Sequence, residues 1–129
     1  MTPAELDAIL AKHARVAIVG APRTGKTTLA ATCTDREVIH TDDHKQAAWA
    51  NQPAIIIGRT AGRERFVIEG VQTARALRKG LEVDAEIVLT EPKVEVTPGQ
   101  KAMGKGHDKI LREALRTAPG VTVYREGDQ

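Results

Sequence analysis

Gly20-Ala21-Pro22-Arg23-Thr24-Gly25-Lys26-Thr27 is the stretch that decides how this chain of 129 residues is read. It keeps the spacing Gly-x4-Gly-Lys-Thr at every fixed position. Just before it, Arg15-Val16-Ala17-Ile18-Val19 is a short apolar run that reads as a buried strand. Just after it, Lys26 to Cys33 has helix character. A strand that turns through glycines into a helix is the context in which this spacing carries chemistry. Small or flexible residues let backbone N–H groups turn inward around phosphate oxygens, and the helix adds its positive N-terminal end. In such a loop Lys26 neutralises the outer phosphates and the Thr27 hydroxyl reaches Mg²⁺.

The pattern is that of a Walker A loop. At ordinary glycine frequency its four fixed positions would match somewhere in a chain this short roughly once in several hundred. A nucleoside triphosphate, ATP or GTP, is therefore expected on Gly20, Ala21, Pro22, Arg23, Thr24, Gly25, Lys26, Thr27 and Thr28, with Mg²⁺ as its companion. No guanine-reading Asn-Lys-x-Asp stretch is present, so the base stays open.

Outward from the loop, strand and helix signals alternate. Thr2-Pro3-Ala4-Glu5 is a capping box with Pro at the first helical position, and Leu6, Ile9, Leu10 and His13 continue at helical spacing over 3–13. Strands are expected at 37–40, 65–68, 85–89 and 121–124, and helices at 71–79 and from Asp108 to near Pro119. Residues 43–62 read as a helix interrupted or restarted by Pro53. The segment 91–107, with Pro92, Pro98, Gly99, Gly104 and Gly106, reads as a lid. Such alternation predicts one α/β domain over 1–129 with a parallel sheet between helices.

Acidic residues fall where the strands of such a sheet end, the edge at which ligands bind. Asp42 and Asp43 follow the second strand, and Glu69 follows Phe66-Val67-Ile68. Either aspartate could equally cap the next helix. Glu69 stands where a metal-directed acid is expected, with Glu91 as a competitor one strand later and a surface carboxylate as the plain alternative. Among the bases, Arg75 and Arg78 follow the third strand, and the lid carries Lys93, Lys101, Lys105 and His107. A solvated helix face is the plain alternative for each. His40, His44 and His107 lack metal-ligand spacing.

With these residues in place, the chain resembles the kinase-like branch of P-loop proteins: nucleoside, nucleotide, small-metabolite and polynucleotide kinases, including compact bacteriophage forms. The resemblance implies a three-layer αβα fold with a five-stranded parallel sheet in the order 2-3-1-4-5. It implies transfer of the γ-phosphate of ATP to a small-molecule, nucleotide or polynucleotide acceptor. Carried across, Asp42, with Asp43 second, orients and deprotonates the acceptor hydroxyl. From their own places in the chain, Lys26 is expected to be catalytic, Thr27 and Glu69 to hold the metal, and Arg75 and Glu69 to meet the acceptor.

Composition bounds the alternatives. With one Phe, one Trp and one Tyr, the chain has few rings on which to stack single-stranded bases. A net charge of +2 is too even for a non-specific nucleic-acid surface. The single Cys33, set in the predicted helix, reads as a buried structural thiol in a reducing cytoplasm. No run approaches the roughly 18 apolar residues of a membrane span, so a cytoplasmic protein is expected. An oligomeric switch ATPase would want an apolar strand ending in Asp-Glu, which is not clear here. A nucleotide-binding module without an acceptor remains a competitor. Nothing in the sequence fixes the oligomeric state.

Overall fold

The computed structural model describes residues 1–20, 24–41, 49–70, 72–89, 97–99 and 121–125. Within them lie β1 (Arg15–Gly20), β2 (Glu37–His40), β3 (Phe66–Glu69), β4 (Ala85–Leu89) and β5 (Thr122–Arg125). The helices are α1 (Pro3–Leu10), α2 (Lys26–Ala30), α3 (Gln52–Thr60) and α4 (Thr73–Arg78). The five strands form one sheet in the order β2-β3-β1-β4-β5, and every pairing is parallel. The expected α/β architecture and strand order are therefore observed.

A parallel strand in mid-sheet is buried on both faces, so it reads as an unbroken apolar run. Val16, Ala17, Ile18 and Val19 of β1 are all fully buried. Alternate residues serve opposite layers. Ala17 and Val19 pack with Ile39, Phe66, Ile68 and Val88 against Ile56 of α3 and Ala74, Ala76 and Leu77 of α4. Val16 and Ile18 pack with Val67, Ala85, Ile87 and Leu89 against Leu6, Ile9 and Leu10 of α1 and Leu29 and Ala30 of α2. Each fully buried aliphatic side chain contributes about 1.5–3 kcal/mol relative to its exposed state. These two layers give the sheet its helical cover on both sides.

Several element ends differ from the sequence expectation. The first helix stops at Leu10 rather than reaching 13. Arg36 takes its final carbonyl, donating to Leu10 O at 3.0 Å, and also donates to the carbonyls of His13 and Ala14 beyond the helix at 2.7 Å. Asp35 grips the same guanidinium, whose hydrogen bonds hold the Asp35 carboxyl well below its ordinary range. The helix after the glycine loop ends at Ala30, so Cys33 lies beyond it. There Thr32 Oγ1 donates to Leu29 O at 2.7 Å, and the chain turns toward β2. Cys33 is buried, as expected, and its thiol contacts Asp35 Oδ1 at 3.4 Å. Pro53 opens α3 in the first turn, where its missing N–H costs nothing, so it restarts a helix rather than breaking one. The third and fifth strands each run one residue further than expected, to Glu69 and Arg125. The expected helix half at 43–48, the helix from Asp108 and the lid other than 97–99 lie outside the described residues.

Within β4 one residue breaks the apolar pattern. Glu86 in β4 is 0 % exposed, and neither carboxylate oxygen has a hydrogen-bond partner. Burial pushes its pKa up to about 7, against a smaller pull downward from Arg125. A raised acid pKa means the folded chain keeps its proton while the unfolded chain releases it. Stability from this group is present below about pH 4.5 and is lost as pH rises through about 7, a change on the order of 3 kcal/mol. Glu86→Gln, which carries no charge, should match wild type near pH 5 and melt roughly 5–10 °C higher near pH 8. Thermal melts at the two pH values check this; equal melting temperatures near pH 8 would contradict it.

Candidate functional site

The order β2-β3-β1-β4-β5 has a consequence for ligand binding. After β1 the chain builds β2 and β3 on one side, then crosses to build β4 and β5 on the other. The carboxyl end of β1 is thus the point where the strand order reverses, the usual ligand crevice of an open parallel sheet. Gly20 is the last residue of β1 and lies in register with Leu89 of β4. A Cβ on Gly20 would stand 2.6 Å from Leu89 O and 2.7 Å from Thr24 Oγ1, so only glycine lets the chain leave the sheet here. Gly25, which precedes α2, has φ +87° and sits in the left-handed region that side chains disfavour.

α2 starts at Lys26, directly after Gly25. Lys26 is 7 % exposed, and its Nζ donates to Gly20 O at 2.9 Å, spanning the base of the loop. Thr24 is fully buried beside it. Thr27 follows on α2 with its hydroxyl 3.2 Å from both carboxylate oxygens of Glu69. Thr28 is exposed.

Glu69 is the last residue of β3 and is 2 % exposed, not the surface carboxylate that a residue beside a turn glycine suggests. Its second described partner is His40, whose Nδ1 lies 2.6 Å from Glu69 Oε1. His40 ends β2 and sits directly opposite Glu69 in the β2–β3 register. The sequence reading considered His40 only for metal-ligand spacing and missed it here. The pair is 29 residues apart, and nothing in the linear spacing marks the contact. Only the strand register does.

A second group adjoins through Thr41, which follows His40 and is fully buried. The backbone N–H of Gln72 donates to Thr41 Oγ1 at 3.4 Å, and Arg75 Nη1 donates to Gln72 Oε1 at 2.9 Å. Gln72 is 1 % exposed, and its Nε2 donors have no hydrogen-bond partner. Burial, followed by the nearby charge of Arg78, lowers the pKa of Arg75. The unmatched Gln72 donors favour an anionic or carbonyl-bearing neighbour.

The structure thus brings Gly20, Thr24, Gly25, Lys26, Thr27 and Glu69 together, and joins Arg75 to them through Gln72, Thr41 and the end of β2. Ala21, Pro22, Arg23, Asp42 and Asp43 lie outside the described residues. Among the described residues no group of three His, Cys, Asp or Glu side chains gathers to hold a metal. The oxygen donors on hand are the Thr27 hydroxyl and the Glu69 carboxylate, the kind that suits a largely hydrated Mg²⁺ rather than a protein-caged ion. No helix among the described residues is long and apolar enough to cross a membrane. No family model, curated protein or solved structure matches this chain.

Gly20→Ala tests the crowding at the end of β1. It should cost about 1–3 kcal/mol, the usual range for overpacking. Gly58→Ala is the control, because a Cβ at that helical position meets nothing within 4 Å. That change should stabilise by about 0.5–1 kcal/mol. Urea unfolding of the two variants checks the opposite signs.

Proposed function

We propose that this chain binds the triphosphate of ATP or GTP with Mg²⁺ in the loop 20–27 and moves the γ-phosphate to an acceptor, in the manner of the P-loop kinase-like proteins it resembles. One observation carries this reading: a buried lysine and a Thr27–Glu69 pair converge at the end of β1, where the strand order reverses. Buried charges are costly unless they meet an opposite charge. A carboxylate at 2 % exposure, held by a hydroxyl and an imidazole, suits a cation. A lysine at 7 % exposure that reaches back to the carbonyl of Gly20, at the start of the glycine-spaced segment, suits a phosphate.

Mg²⁺, when bound, supplies positive charge that offsets the charge developing on the phosphate oxygens. The chain's own groups do the rest. Backbone N–H groups of the loop cradle the phosphates, and Lys26 exchanges the Gly20 carbonyl for phosphate oxygens. Thr27 would offer its hydroxyl to the metal, and Glu69 would hold it directly or through a bound water. Phosphoryl transfer depends mostly on such positioning and charge stabilisation. Asp42, with Asp43 second, orients the acceptor hydroxyl and takes its proton. Arg75 and the unmatched Nε2 of Gln72 receive polar or anionic groups of the acceptor. That acceptor is a small molecule, a nucleotide or a polynucleotide end.

The test is incubation with Mg²⁺ and γ-labelled ATP against pooled nucleosides, nucleoside monophosphates, 5′-hydroxyl oligonucleotides and sugars. Label on one acceptor class is expected. Lys26→Ala should abolish transfer, and Asp42→Asn should remove transfer while sparing ATP binding. Free phosphate released equally with and without every acceptor would replace transfer by simple hydrolysis. Absence of ATP binding to the wild type would overturn the reading of the loop itself.

A further inference from the structure

We infer that His40 is a positioning residue for Mg²⁺, acting through the carboxylate of Glu69. The inference rests on reading the loop 20–27 as a Mg²⁺–nucleotide site. His40 ends an edge strand, and its side chain is one-third exposed, whereas the carboxylate it meets is almost wholly buried. At 2.6 Å the contact is short and charge-assisted. An ionised carboxylate only accepts, so Nδ1 carries the proton of this bond and Nε2 is turned away from Glu69. His40 thus approaches Glu69 from the neighbouring strand, while Thr27 approaches it from α2.

A glutamate side chain has three rotatable bonds, and ordering it costs on the order of 1.5–2 kcal/mol. The hydrogen bond from Thr27 cannot hold Glu69 once that hydroxyl turns to a metal. The bond from His40 survives that exchange, because it involves neither the Thr27 hydroxyl nor Oε2. It keeps the carboxylate at the loop before and after the cation arrives. Groups that orient a metal-directed carboxylate from behind matter nearly as much as the ligands themselves. A lining residue with a purely structural role would act on folding and not on the metal.

The experiment compares wild type with His40→Ala, His40→Asn and His40→Gln, titrating Mg²⁺ at fixed fluorescent ATP analogue and repeating the binding in EDTA. In His40→Ala the Mg²⁺ concentration at half-saturation should rise about 10–100-fold, with binding in EDTA changed less than about twofold. Asn places an amide N–H near the position of Nδ1 and should restore most of the Mg²⁺ response. Gln places its amide further out and should behave like Ala. An unchanged Mg²⁺ half-point in His40→Ala overturns the inference, as does a loss of equal size in EDTA. Failure of His40→Asn to improve on Ala also overturns it. A wild type that binds the analogue with no dependence on Mg²⁺ overturns the reading of the metal site, and with it this role.

Discussion

Everything in this fold depends on β1 being buried on both faces. Four consecutive aliphatic residues, Val16 to Val19, have no exposed surface. Buried backbone N–H and C=O groups must be paired. The strand therefore needs a neighbour on each side, β3 and β4, and a helical layer above and below. Because parallel crossovers are right-handed, the reversal of strand order at β1 puts α2 on one face and α3 and α4 on the other. The same reversal makes the carboxyl end of β1 the position at which open parallel sheets usually take their ligands.

What stands at that edge is a set of groups a folding chain would ordinarily avoid burying. Lys26 and Glu69 are both nearly inaccessible, and Gln72 leaves its amide donors unmatched. In a purely structural edge, apolar residues would serve stability better than these. Their concentration at one sheet edge, beside Gly20 and Gly25, is the observation on which the proposed charged-ligand site rests. Glu86 shows the contrast. It is equally buried, but it lies within β4 rather than at the strand's end, and its consequence is a dependence of stability on pH.

Much of this was legible in the sequence. The apolar runs at 16–19, 66–68 and 87–89 marked their strands because residues buried on both faces of a sheet are mostly apolar. The glycine spacing marked the loop because only glycine tolerates the approach to Leu89 and the positive φ of residue 25. Element ends were less legible, since side chains from elsewhere in the chain decide them. Arg36 ends α1 from 26 residues beyond Leu10, and no local propensity announces that. Glu86 was hidden for a different reason: a carboxylate flanked by Ala85 and Ile87 fits an alternating strand as well as a buried one. The His40–Glu69 contact was hidden because it exists only through register between β2 and β3.

The central claim is that the loop at the end of β1 grips phosphates rather than a base or a sugar. Its most direct measurement is competition for labelled ATP bound to the wild-type protein in Mg²⁺. Inorganic triphosphate and ADP should displace the label, whereas adenosine should not. Displacement by adenosine with no effect of triphosphate would contradict the claim, as would the lack of any saturable ATP binding.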